Sequence, residues 1–238
     1  MVPEKQIDEF VSRLREAAGP NLKSVILYGS SVAGGYVPDY SDVNLLCFLG
    51  ETSFAAISAI GPAVEWWAKQ KHRAPLLMTT EELRRSADVF SIEFLDMRQN
   101  YRVLHGEDVL NGLEIPMKFH RTQVEYELRE KTILLRQRLL VAVGNAAAKK
   151  ELLLRSVPAF ATLSRHALIA LGSPVPASKR EAIQQLAAKA EFDPNPLLRL
   201  LDLREGKIAS EGLNLDQLFA QYLESVEKIT AAVDAMFD

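Results

Sequence analysis

The chain has 238 residues, 48% of them hydrophobic and 25% charged, a composition typical of a globular protein of one large or two modest domains. Residues 1–116 carry a net charge of −5 and residues 117–238 one of +2, so neither half has the concentrated basic face of a nucleic-acid binder, and nucleic acid is not an expected partner. The chain begins with polar residues and has no apolar run of about 18 residues, which predicts neither a signal peptide nor a membrane span and favours the cytoplasm.

The first predicted elements are a helix and two strands. Apolar residues at three- and four-residue spacing predict a helix over Glu4–Ala18, which Gly19-Pro20 ends. Short apolar runs predict strands over Lys23–Tyr28 and Asn44–Leu49. The single cysteine, Cys47, lies inside the second strand, where it is a small buried hydrophobe that favours a reducing compartment.

Four further elements are predicted before the middle of the chain. A second helix is expected over Thr52–Gln70, kinked or split at Gly61-Pro62, and residues 75–78 predict a strand. Thr79 to Glu82 has the pattern of a capping box, which predicts a helix start. The alternation of apolar and polar residues predicts the last strand over Asp88–Asp96, with an extension to His105 left open.

Strand signals stop after Pro116, and the remaining sequence predicts helices joined by short loops. Their predicted ranges are Phe119–Val143, Lys149–Leu171, Lys179–Glu191, Pro196–Arg204 and Leu215–Phe237. Pro158 is expected to kink the second of these helices. Such a series forms a bundle. We therefore predict an α+β fold, with a small mixed β-sheet domain over residues 1–116 and an all-α helical bundle over residues 117–238.

The stretch with the clearest chemistry is Gly29-Ser30-Ser31, followed eleven residues after Ser31 by Asp42. Gly29 lets the backbone turn sharply at the end of a strand, and the serine hydroxyl and N–H groups suit phosphate oxygens. Asp42 is a hard anionic ligand of the type that Mg²⁺ prefers. The pattern indicates a phosphate-binding turn beside a metal ligand, although a plain flexible turn with Asp42 as a capping residue remains open.

These residues resemble the signature of the nucleotidyltransferase superfamily, in which a Gly-Ser turn precedes Asp-x-Asp or Asp-x-Glu on the adjacent strand. The resemblance covers roughly residues 20–110. The superfamily includes the kanamycin-type antibiotic nucleotidyltransferases, which carry a C-terminal helical domain. It implies that Gly29, Ser30 and Ser31 bind a nucleoside triphosphate and that Asp42 holds catalytic Mg²⁺. The implied reaction transfers a nucleoside monophosphate to a hydroxyl of a small molecule or protein.

Asn44 departs from this signature, because it stands where the family has its second carboxylate. An amide keeps an oxygen ligand but removes a full negative charge, so we expect a weakened Mg²⁺ site at Asp42 and Asn44. The resemblance also implies that Asn44 contacts the bound nucleotide. The alternative, in which Asn44 only hydrogen-bonds its own loop, remains open.

The third carboxylate of the family is also displaced. The resemblance implies an acid on the strand beside Asp42, but residues 74–78 contain none. Glu93, on the strand predicted over Asp88–Asp96, is the best candidate for the third ligand or catalytic base. The alternative is that Glu93 pairs with Arg98 or Arg102.

Four cations of the second half, and histidines of both halves, have plainer interpretations. Arg129, Lys131, Arg136 and Arg138 form either a group that reaches a triphosphate or a solvated helix face offset by neighbouring glutamates. His72, His105 and His120 lack metal-ligand spacing and are expected at the surface or at helix caps.

Two functional hypotheses follow from these observations. The first is a nucleotidyltransferase with weakened catalysis, which uses Mg²⁺, a nucleoside triphosphate and a small-molecule or protein acceptor. The second is a pseudoenzyme, which keeps the fold as a nucleotide-binding or protein-interaction module. Homo-oligomerisation is compatible with both.

Overall fold

The computed structural model describes residues 2–34, 36–37, 40–209 and 212–235. The chain divides into two compact units between Met117 and Lys118, next to the boundary predicted at Pro116. The first unit contains a sheet, and the second is helical, which confirms the predicted α+β class. In the described ranges, every helix is too short or too polar to cross a membrane.

The first unit is a four-stranded mixed sheet covered by helices on both faces. Its strands are β1 (Leu22–Tyr28), β2 (Asn44–Leu49), β3 (Leu76–Met78) and β4 (Tyr101–Gly106), and its helices are α1 (Glu4–Ala18), α2 (Phe54–Lys69), α3 (Thr80–Ser86) and α4 (Ser91–Gln99). The sheet order is β3-β2-β1-β4. Strand β1 is antiparallel to β2 and β4, whereas β2 is parallel to β3.

Strand β2 is buried on both faces, which explains its continuous apolar sequence. Leu45 and Cys47 pack into a core with α1 and α2, while Leu46 and Phe48 pack into a second core with α3 and α4. Cys47 is fully buried, and burial raises the pKa of its thiol to about 12.

Local signals place most of these helices. The observed bounds of α1 match the prediction, and α2 runs without a break through Pro62 from a Ser53 N-cap. The capping box at α3 is confirmed, because the Thr79 hydroxyl accepts from the Glu82 N–H and the Glu82 carboxylate accepts from the Thr79 N–H.

The strand predicted over Asp88–Asp96 is wrong, because Ser91–Gln99 forms helix α4. Phe94 and Met97, three residues apart, are buried on one side of this helix. Glu93 to Gln99 consists largely of good helix formers, whose preference outweighs the short apolar alternation. The last strand is β4, which begins at Tyr101 and ends at Gly106, one residue beyond the possible extension to His105.

The second unit is a helical bundle whose central element is α6, which packs against each of the other helices. Its helices are α5 (His120–Ala142), α6 (Ala146–Ala170), α7 (Lys179–Ala190), α8 (Asn195–Arg204) and α9 (Leu215–Ala235). Helix α6 continues through Pro158. The predicted end of the last helix at Phe237 lies outside the described residues.

Buried aromatic and hydroxyl groups join α6 to α9. Phe160 of α6 and Tyr222 of α9 meet edge to face, with ring centroids 5.9 Å apart. The fully buried Tyr222 hydroxyl is 2.9 Å from the Ser156 hydroxyl, which satisfies its polar atom inside the core.

Candidate functional site

A tight turn follows β1 and contains three of the predicted site residues. Gly29 has a φ of +81°, in the left-handed region that favours glycine, and it begins the 3₁₀ turn Gly29–Ser31. The Gly29 carbonyl accepts from the Val32 N–H at 3.0 Å, and the Ser31 hydroxyl donates to the Tyr28 carbonyl at 3.3 Å. Ser30 and Ser31 are half-buried, so the turn is ordered by its own hydrogen bonds while its serines keep access to solvent.

Asn44 lies directly against this turn. It is the first residue of β2 and pairs with Tyr28 of β1. A Cβ atom placed on Gly29 would lie 3.3 Å from Asn44 Nδ2, so the amide packs on the glycine backbone. The structure therefore brings Gly29, Ser30, Ser31 and Asn44 together at the ends of two neighbouring strands.

Asp42, two residues before β2, forms an ion pair that the sequence did not suggest. Its Oδ2 atom is 3.2 Å from Nε of Arg73, and the Arg73 side chain is 76% exposed and the Asp42 side chain 47% exposed. Parallel pairing aligns Leu46 of β2 with Leu76 of β3, so the residues preceding β3 lie beside those preceding β2. That register, which a single sequence does not reveal, is why Arg73 was missed.

The segment that carries Arg73 is anchored to the core by Trp67. The fully buried indole of Trp67 donates from Nε1 to the Arg73 carbonyl at 2.8 Å. It stacks on His72 with ring centroids 3.9 Å apart, and the His72 ring is within 2.8 Å of the Gln6 side chain. Burial lowers the pKa of His72 from its ordinary value, against the opposing charge of Asp42.

Glu93 approaches from a helix instead of the predicted strand. It lies in the first turn of α4, and its charge contributes to a Tyr28 pKa of about 12, although burial of Tyr28 is the larger cause. Because Tyr28 pairs with Asn44, Glu93 acts electrostatically on the end of the same two strands. The two arginines named above as alternative partners of Glu93 make other contacts: Arg98 donates to the Leu113 carbonyl, and Arg102 forms an ion pair with Glu4.

The side chains present do not fit the three-carboxylate Mg²⁺ centre that the resemblance implies. Strand β3 consists of Leu76, Leu77 and Met78 and has no acid beside β2. Among the residues that the structure describes, no three His, Cys, Asp or Glu side chains are grouped so that they could hold a metal ion. Asp42 is already paired with a cation, and Asn44 adds no charge.

In the second unit, three of the four cations named above for α5 form ion pairs with carboxylates of the bundle, which favours a solvated helix face. Arg129 pairs with Glu125 and Asp234, Lys131 with Glu127 and Glu130, and Arg136 with Glu227. His120 lies at the start of α5 but not at the surface, because it is only 1% exposed and its ring lies 5.2 Å from the ring of His166.

The chemistry available at the Gly29 turn is anion binding. The turn offers backbone N–H groups and two hydroxyls, and Arg73 supplies a planar cation with several N–H donors. Neither Asp42 nor Asn44 is placed as a free base, because one is ion-paired and the other is an amide.

No protein-family model matches the chain, and no curated protein sequence matches it. Among solved structures, it is similar to spectinomycin adenyltransferase AAD(9) from Enterococcus faecialis, crystallised with ATP and spectinomycin. The TM-score is 0.59, with 14% identity, over 97% of this chain and 99% of that chain. The similarity shows that the two proteins share a fold.

Proposed function

We propose that this chain binds a nucleoside triphosphate at the Gly29 turn. The observation that carries the proposal is the left-handed Gly29, which begins the turn that carries Ser30 and Ser31 and against which the Asn44 amide packs. Positive-φ turns of this kind are common where the backbone approaches phosphate oxygens closely.

The shared fold supports the same assignment. The spectinomycin adenyltransferase was crystallised with a nucleotide and a small-molecule acceptor, and the match covers nearly all of both chains. We therefore propose that this protein is a nucleotidyltransferase-family protein, with a hydroxyl of a small molecule or protein as the acceptor in any transfer that it catalyses.

Catalysis by this chain is expected to be weak or absent. Transfer needs ligands or a base that align the attacking hydroxyl, and Asn44 and the acid-free β3 remove two of the expected carboxylates. Loss of one positioned acid or base costs about 10²- to 10⁴-fold in rate. Nucleotide binding without efficient transfer is thus the primary proposal, and slow nucleotidyl transfer is the second.

Calorimetric titration of the full chain with each nucleoside triphosphate, as non-hydrolysable analogues, tests the proposal. Gly29→Ala should abolish binding, because alanine strains the turn and crowds the Asn44 amide. Gly112→Ala is the matched control: Gly112 also has a positive φ, +73°, but open space around its Cβ position. If none of the nucleotides binds, or if both variants behave alike, the proposal fails.

Transfer is measured separately, with an α-labelled nucleoside triphosphate and a panel of hydroxyl-bearing acceptors. Label transferred to an acceptor by the wild type and lost in Gly29→Ala would establish the enzyme. Tight nucleotide binding with no transfer would establish the binding module.

A further inference from the structure

We infer that Arg73 takes the place of a metal ion at this site, so that the phosphates of the nucleotide bind without Mg²⁺. The inference rests on the proposed function and names the positive charge that the phosphates of the nucleotide would meet. It starts from a charged contact just ahead of β2, the Asp42–Arg73 ion pair.

The charges of the described site residues support a guanidinium in place of a metal. Asp42 contributes one negative charge and Arg73 one positive charge, while Asn44, Ser30 and Ser31 are neutral. Mg²⁺ at a nucleotide is held by one or two carboxylates together with the phosphates; here the Asp42 carboxylate is already paired with Arg73, and the neighbouring strand β3 supplies no second one. A triphosphate carries its own excess of negative charge, so it needs a cation more than it needs a second carboxylate.

Arg73 is placed where it can serve as that cation. Its backbone carbonyl is held by the Trp67 indole, yet its side chain is 76% exposed and reaches Asp42, two residues ahead of β2. The contact uses Nε, and a guanidinium has four further N–H bonds in the same plane, which is the geometry that binds phosphate oxygens in pairs.

The weakness of the ion pair is consistent with this role. Pairs between exposed side chains contribute little, so Arg73 can exchange Asp42 for a phosphate at small cost. Asp42 then acts as a resting partner, which keeps the guanidinium beside the turn when no nucleotide is present. Removal of Asp42 should consequently leave nucleotide affinity unchanged or raise it, the opposite of what a metal ligand would do.

Titration with ATP in excess Mg²⁺ and in EDTA tests the inference. We expect similar affinity in both conditions, and about tenfold weaker binding for Arg73→Gln in EDTA, as for loss of one charge-assisted contact. Arg85→Gln is the matched control, because Arg85 is 80% exposed and also pairs with a carboxylate, Glu81, but lies on α3. Asp42→Ala should bind ATP at least as well as the wild type.

Three results would distinguish failure of the inference from failure of the proposed function. Binding that needs Mg²⁺ and is lost in Asp42→Ala overturns the inference and leaves nucleotide binding intact. Equal effects of Arg73→Gln and Arg85→Gln overturn it as well. Absence of binding under every condition overturns both.

A metal-only measurement tests the inference independently of any nucleotide. Mn²⁺ binding, followed by electron paramagnetic resonance, should be the same for the wild type and for Asp42→Asn. A Mn²⁺ site in the wild type that disappears in Asp42→Asn would show that the carboxylate is a metal ligand and that Arg73 does not replace the ion.

Discussion

Acidification should destabilise the helical bundle through His120. This residue begins α5, is 1% exposed and lies beside the fully buried His166. Burial, and next the charge of His166, lower the pKa of His120 to about 4. In the unfolded chain a histidine has a pKa of about 6.5.

The sign and size of the effect follow from these two pKa values. Between them the unfolded state binds the proton and the folded state does not, so stability is present above the unfolded pKa and is lost as pH falls towards the folded pKa. Linkage with values of about 6.5 and about 4 gives a loss of about 2 kcal/mol between about pH 7 and about pH 5.

Urea unfolding of the wild type and of His120→Gln at several pH values measures this loss. Far-UV circular dichroism reports mostly the bundle, whereas fluorescence reports the first unit, because both tryptophans, Trp66 and Trp67, lie there. The difference in unfolding free energy between wild type and variant should shift by about 2 kcal/mol over this range in the dichroism transition. A difference that does not change with pH would refute the reasoning.

Three substitutions in the first unit give further tests. Asn44→Asp should create a Mn²⁺ site detectable by electron paramagnetic resonance, since it adds a carboxylate near Asp42; no gain would count against the alignment of these residues with the family motif. Thr79→Ala should lower the unfolding free energy by about 1 kcal/mol through loss of the α3 cap, measured by urea unfolding, and an unchanged midpoint would contradict the observed capping box. Trp67→Phe keeps an aromatic ring but removes the hydrogen bond to the Arg73 carbonyl; nucleotide affinity should fall in calorimetry while the circular dichroism spectrum is kept, and unchanged affinity would show that this anchor does not position Arg73.

Short-range patterns were sufficient for several elements of the fold. The helical spacing and Gly19-Pro20 determine α1, and the Thr79 and Glu82 side chains close the start of α3. These signals are read correctly from sequence because the interactions that cause them span only a few residues.

The wrong predictions concern residues whose placement depends on tertiary contacts. Residues 90–94 alternate as a strand would, but α4 buries Phe94 and Met97 against the sheet at helical spacing. His120 was assigned to the surface because polar residues usually lie there. Its four-residue spacing to the buried Val124 and Leu128 was the signal that could have placed it in the core.

The candidate site was predictable in part. The Gly29 turn and its closeness to Asn44 follow from a strand, a glycine and a neighbouring strand. Arg73 could not be found, because it meets Asp42 only through the register of β2 and β3, which are separated by a helix. The roles of Glu93 and Asp42 remain predictions.

The buried thiol of Cys47, the single cysteine, can report how often the sheet opens. With its pKa raised to about 12 and its side chain enclosed in the sheet, Cys47 cannot react with thiol reagents at neutral pH unless β2 separates from its neighbours. The rate at which Cys47 becomes modified therefore measures how often the sheet opens under native conditions. The same protection means that a cysteine introduced at any exposed position can be labelled selectively, without first replacing the natural one.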